Sequence, residues 1–132
     1  MPSPQADPAT PAQFSCEVVT RYLPEQSSAA DRVYAFAYTV NIHNSGPVAA
    51  QLVARHWIIT DSDGHGEEVR GLAVVGHQPL LKPGEHFEYT SWTRLATPRG
   101  TMRGTFFCIS EDAHWFEAPV AAFELSQAQA LH

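Results

Sequence analysis

Residues 70–77 read Arg70-Gly71-Leu72-Ala73-Val74-Val75-Gly76-His77, a phosphate-cradling glycine string with alanine where the middle glycine would stand. In such strings the glycines let backbone amides approach an anion closely, and neighbouring cationic or imidazole side chains add donors. The chemistry on offer is binding of a pyrophosphate-bearing or other phosphorylated small molecule by Arg70, Gly71, Gly76 and His77. Two features oppose a dinucleotide site. Such a site needs a helix to start at the string, whereas Gln78-Pro79 and Lys82-Pro83-Gly84 follow here and proline bars helix propagation. The segment after Gly76 also lacks the Lys-Ser or Lys-Thr pair of a Walker-type loop. The structural alternative is that the glycines relax a strand end or bulge in a sheet crossover.

Metal chemistry is the second candidate, because the chain holds seven histidines. They are dispersed over His43, His56, His65, His77, His86, His114 and His132, and no pair has compact zinc spacing. Asp61, Asp63, His65 and Gly66 begin like a calcium loop, but Leu72 falls where a bidentate acid is required. Glu67, Glu68 and the loop carboxylates could hold a hydrated divalent ion weakly; a solvated acidic turn explains them as well. His56 reads as a strand residue with a hydrogen-bond partner. Ser91, Cys108 and the histidines allow a catalytic triad on paper, yet no nucleophile elbow places them. The pairs Glu67-Glu68 and Glu111-Asp112 fall at turns, where solvent accounts for their charge. No catalytic residue, resident cofactor or dedicated metal site is assigned, and a non-enzymatic protein is expected.

The elements that must position these residues follow from composition and pattern. A chain of 132 residues with 44% hydrophobic content supports one domain. Its net charge of −6 opposes nucleic-acid binding unless a local basic patch intervenes. No run reaches membrane-spanning length, and Met1 to Pro11 lacks the basic start and apolar core of a signal peptide. A cytoplasmic protein is the expectation, and with it reduced Cys16 and Cys108 thiols rather than an inter-sheet bridge. Residues 1–13 are rich in Pro and Ala and read as a disordered tail, with a second short tail over 127–132.

Between them, residues 14–126 show short apolar runs separated by turn chemistry, the signature of an all-β domain. Strands are predicted over Phe14 to Tyr22, Val33 to Asn44, Ala50 to Asp61, Glu67 to Arg70, His86 to Thr93, Thr101 to Ser110 and Trp115 to Leu125. In the second, Tyr34, Phe36, Tyr38, Val40 and Ile42 should face inward, opposite Val33, Ala35, Ala37, Thr39 and Asn41. Trp57 is the expected core residue of the third, and Pro119 predicts a bulge or an edge position in the last. About seven strands of this spacing favour two packed antiparallel sheets.

Taken in order, Phe36-Ala37-Tyr38-Thr39-Val40, Arg55-His56-Trp57-Ile58-Ile59-Thr60-Asp61, the glycine segment, Phe87-Glu88-Tyr89-Thr90-Ser91 and Thr97-Pro98-Arg99-Gly100-Thr101-Met102-Arg103-Gly104 make the chain resemble the bacterial ApaG family from about Phe14 to Leu125. The resemblance implies a fibronectin type III-like, immunoglobulin-like antiparallel β-sandwich. It also implies kinship with the ApaG domains of certain eukaryotic F-box proteins and of a DNA polymerase delta-interacting protein, which are viewed as protein-binding modules. In bacteria the family name is tied to cobalt resistance and magnesium efflux. The family usually carries GxGxxG at the glycine segment, so Ala73 is a departure from its pattern. An adaptor role with an unidentified protein partner is the leading expectation. Trp92, Arg94 and Trp115 are its candidate contacts, because tryptophan and arginine near a strand rim are favoured binding anchors.

Overall fold

The computed structural model describes residues 12–128. Eight strands build it: β1 (Phe14–Tyr22), β2 (Tyr34–Asn44), β3 (Ala50–Asp61), β4 (Gly66–Leu72), β5 (Leu80–Leu81), β6 (His86–Leu95), β7 (Arg99–Ser110) and β8 (Trp115–Ser126). A single turn of 3-10 helix, Pro24–Gln26, follows β1. The strands form two antiparallel sheets, a three-stranded one ordered β1-β2-β6 and a five-stranded one ordered β4-β3-β7-β8 with β5 also on β3. The chain is therefore an all-β antiparallel sandwich, as its spacing predicts. Among the described residues no helix is long and apolar enough to cross a membrane.

The alternation within each strand decides what lies between the sheets. Phe36, Tyr38, Val40 and Ile42 of β2 are buried against Leu52, Trp57 and Ile59 of β3 and Met102, Phe106 and Cys108 of β7. Trp57 is the hub, with ring centroids 5.7 Å from Tyr38, 5.7 Å from Phe106 and 6.1 Å from Phe123. Edge-on aromatic contacts of this kind add to simple area burial. Its partner across the ladder is Gly104, and a Cβ there would stand 2.5 Å from the His56 carbonyl oxygen and 2.5 Å from Trp57 Cε3. The indole lies flat because that position has no side chain.

Cys16 and Cys108 are free thiols, and burial pushes each up to about 12, so both stay protonated at neutral pH. Pro119 falls on β8, an edge strand, next to the register shift between Met102 and Gly104. Two local expectations are corrected. Ala35 belongs to the outward face of β2 yet is fully buried, because the Leu23–Ser28 loop folds over it: Leu23 N–H donates to the Ala35 carbonyl at 2.8 Å and Ala35 N–H donates to Ser27 Oγ at 2.9 Å. The two-residue β5 was not expected, since Pro79 and Pro83 bracket it. Buried Asn44 recruits it, donating from Nδ2 to the carbonyls of Leu81 and Val48 at 2.9 Å each. At the domain limits, Ser45 N–H donates to the Gln13 carbonyl at 3.0 Å and Gln127 N–H to the Pro98 carbonyl at 2.9 Å. Most of each expected tail, residues 1–11 and 129–132, lies outside the described residues.

Gly104→Ala forces a methyl group against a backbone carbonyl and a fully packed indole, neither of which can yield. It is expected to destabilise the domain by about 2–3 kcal/mol, read as a lower urea midpoint at unchanged slope.

Candidate functional site

The glycine segment forms the corner between two short strands that share one edge of β3. Leu72 ends β4, and β3 carries a bulge between Leu52 and Ala54 that shifts its register. There Ala73 N–H and Gln78 Nε2 both donate to the Val53 carbonyl, at 2.8 and 3.0 Å. Val74 and His77 then exchange backbone hydrogen bonds of 2.8 and 2.9 Å across Val75-Gly76, with φ +48° and +80°. Positive φ at both central residues is the type I′ hairpin requirement, which explains Gly76 without a ligand.

Gly71 has a different reason. A Cβ there would stand 2.9 Å from Arg55 Nη1, whose guanidinium lies across it and donates to the Leu72 and Ala73 carbonyls at 2.9 and 2.8 Å. Arg55, half-buried on the inward face of β3 and not singled out as a candidate from the sequence, thus clamps the corner at the sheet edge. Its charge also reaches the Tyr38 and Tyr89 hydroxyls, although burial dominates and pushes both phenols up. The third position of the string, Ala73, has φ +70°, a left-handed conformation that costs an L-residue about 1–2 kcal/mol. Glycine would meet that demand freely.

The structure does not bring the candidate anion ligands together. Arg70 lies opposite His56 on the outer face of the five-stranded sheet and pairs with Glu68 at 3.1 Å. His77 turns toward the other sheet, its ring 5.5 Å from Phe87. The amides of Ala73, Val74 and His77 are already spent on backbone carbonyls.

The acidic turn after β3 does gather Asp61, Asp63 and His65, which offer ligand atoms within 4.8 Å of one another. The Asp61 carboxylate serves the turn itself, accepting from the Asp63 and His65 amides at 2.9 and 3.0 Å. Partial desolvation works against its ionisation, but these bonds hold it below the usual carboxylate range. Asp63 pairs with Arg32 at 3.4 Å. Glu68 accepts from the His56 ring at 2.9 Å, and that bond, with Arg70, holds its carboxyl low. Ser110, Asp112 and His114 are also linked, but in the wrong order for nucleophilic catalysis. Asp112 sits between the other two, bonded to Ser110 Oγ and 3.2 Å from His114 Nδ1. Cys108 is fully buried, so it offers no accessible thiolate. Ser91 is engaged by the Tyr38 phenol.

The outer face of the three-stranded sheet is where candidate contacts do converge. Cross-strand register sets Arg21, Ala37 and Trp92 in one row, with Val19, Thr39 and Thr90 in the next. Because Ala37 is small between two long neighbours, the row has a dip. The Leu23–Gln26 turn walls one end and brings Glu25 to it, giving an open groove of about 410 Å3 whose lining includes Arg21, Leu23, Glu25, Ala37, Thr90 and Trp92. Trp92 is 55% exposed, and the Arg94 guanidinium carbon lies 5.1 Å from its ring centroid, a cation–π contact that props the indole. Trp115 lies elsewhere, on the five-stranded sheet, so the three candidate partner contacts fall into two groups. Two small residues in succession on the outward face of β2, Ala35 and Ala37, are the signal in the sequence for a depression.

Relieving the strained corner tests its structural origin. Ala73→Gly and Val75→Asn are each expected to raise stability by roughly 0.5–1 kcal/mol in urea denaturation, since both positions hold L-residues at positive φ.

Comparison with known proteins gives one answer at every level. The ApaG domain family matches residues 24–110. Protein ApaG from Ralstonia nicotianae is 58% identical over 120 residues, covering 91% of this chain and 97% of that one. Protein ApaG from Bordetella pertussis is 53% identical over 125 residues, covering 95% of each. A crystal structure of a Bordetella pertussis protein named ApaA superposes with a TM-score of 0.86 at 54% identity, covering 89% of this chain and 95% of that one. A second X-ray structure, of a structural-genomics target, gives 0.84 at 41% identity, covering 91% of each. With the family match, these relatives and the superposed fold in agreement, the chain belongs to the ApaG family.

Proposed function

We propose that this chain is a non-enzymatic protein-binding module, and that its partner seats on the outer face of the three-stranded sheet at the Trp92 groove. The observation that carries the reading is the Arg21-Ala37-Trp92 row, an apolar dip beside a propped, half-exposed indole. Tryptophan is the residue most enriched among binding hot spots, and a pocket beside it lets a partner side chain be fully desolvated. Arg21 and Arg94 are in no ion pair with a described residue, so each is available to a partner carboxylate in a protein whose net charge is −6. The partner segment that fits presents a carboxylate to Arg21 and Arg94, a basic or neutral polar group to Glu25, and one apolar side chain to the space above Ala37. In this reading the cobalt and magnesium link of the family follows from what the partner does, with no ion resident on this chain.

The phosphorylated-ligand reading through Arg70, Gly71, Gly76 and His77 is the weaker one, since each glycine position has a conformational or steric reason and the two side chains diverge. Titration calorimetry with pyrophosphate, with and without magnesium, is expected to give no saturable heat. For the groove, Thr90 replaced by a photocrosslinking phenylalanine is expected to yield one discrete protein adduct in the native cell, while the same probe at Ala121 yields none. Arg21→Glu should abolish the adduct, and Trp92→Ala should weaken the purified complex by about 2 kcal/mol, roughly thirtyfold. An adduct that persists in Arg21→Glu, or saturable pyrophosphate binding lost in Arg70→Ala, would overturn the assignment.

A further inference from the structure

The outer face of the five-stranded sheet carries a second surface that the proposed function does not use. Its outward residues form two cross-strand rows at one end: Leu80-Gln51-Ile109-Trp115 and Leu72-Ala54-Phe107-Glu117. Leu72, Leu80 and Trp115 are 71%, 62% and 65% exposed, and Phe107 and Ile109 between them are partly exposed and pack outside the core. Isolated exposed apolar side chains are ordinary. Here five of them share two adjacent rows, with Glu117 as the one charge, and a contiguous exposed apolar patch of this kind is the surface feature that marks an interaction site.

We propose that this face is a self-association surface through which two copies of the chain pack sheet against sheet. Three observations choose a second copy over another occupant. The first is self-complementarity. A two-fold axis along the strands between β3 and β7 reverses each row on itself and sets Leu80 against Trp115 of the partner subunit and Gln51 against Ile109 of the partner subunit. In the second row it sets small Ala54 against bulky Phe107 of the partner subunit, so a dip receives a knob twice. The second is charge: like charges oppose association of identical copies at net charge −6, and these rows leave only Glu117 to face the other copy. The same axis sets Glu117 against Leu72 of the partner subunit, one row from the partner's Arg70. The third is shape. An antiparallel sheet with an apolar outer face stacks on another at about 10 Å, and the same register on both sides supplies interdigitating side chains.

Sedimentation of the full chain from sub-micromolar to high micromolar concentration is the test. The expected result is a reversible monomer–dimer equilibrium that tightens with added salt, because salt screens the net repulsion and leaves apolar contact intact. Leu80→Lys and Trp115→Glu, both at exposed positions, should each raise the dissociation constant at least about tenfold with unchanged circular dichroism. Mixed together, the two variants should associate again, since the two-fold leaves one native Leu80–Trp115 contact and turns the other into an ion pair. A monomer at every concentration would sink the proposal. So would a dimer that both variants leave intact, or one that weakens with salt, for then another surface joins the copies. Failure of the variants to recombine rejects the stated two-fold.

Discussion

Trp57 holds the two sheets together, and its seat depends on the absence of a side chain at Gly104. The indole belongs to β3, touches Tyr38 of the opposing sheet, and stands edge-on to Phe106 and Phe123 of its own. Because β3 and β7 are neighbours at the centre of the five-stranded sheet, a ring lying flat over Gly104 sets how closely they pack beneath the core. The outward residues of both strands are placed by the same register. Core and surface are coupled through this one packing solution.

The glycine segment shows how conformational demand can imitate a ligand motif. Arg55 needs room over residue 71, the corner needs a left-handed residue at 73, and a two-residue hairpin needs positive φ at 75 and 76. Those demands put small or conformationally free residues at a spacing that resembles phosphate-binding strings, with no anion involved. Ala73 meets its demand at a cost in strain. The Arg55 clamp and the paired amides of Val74 and His77 hold the corner despite that cost.

The two outer faces divide by chemistry. On the three-stranded sheet, guanidinium groups flank an aromatic ring and hydroxyls line a dip, a mixture suited to a polar partner with one apolar anchor. On the five-stranded sheet the two rows are apolar but for Gln51 and Glu117, and the polar residues His56, Glu68 and Arg70 pair among themselves beyond them. The faces belong to different sheets, so occupation of one leaves the other accessible.

Strand identity was legible because period-two alternation and turn residues are local properties. Phe14–Tyr22 and Ala50–Asp61 end where the pattern ends, and the inward face of β2 is the aromatic one. Family membership was legible for the same reason, being written in ordered short motifs. What alternation cannot specify is which strands become neighbours and in what register. Trp92 shares a row with Arg21 and Ala37 only through the β1-β2-β6 order, while Trp115 shares a row with Leu80 only because β5 returns to the edge of β3. The Leu23–Ser28 loop hides Ala35 and walls the groove by bonding to its backbone, a contact between loop and strand that no periodicity encodes. The sequence by itself determined the strands other than β5, the inward aromatic face of β2 and the family. Tertiary structure alone decided the shared surfaces, because cross-strand neighbours arise from sheet order, bulges and long-range hydrogen bonds.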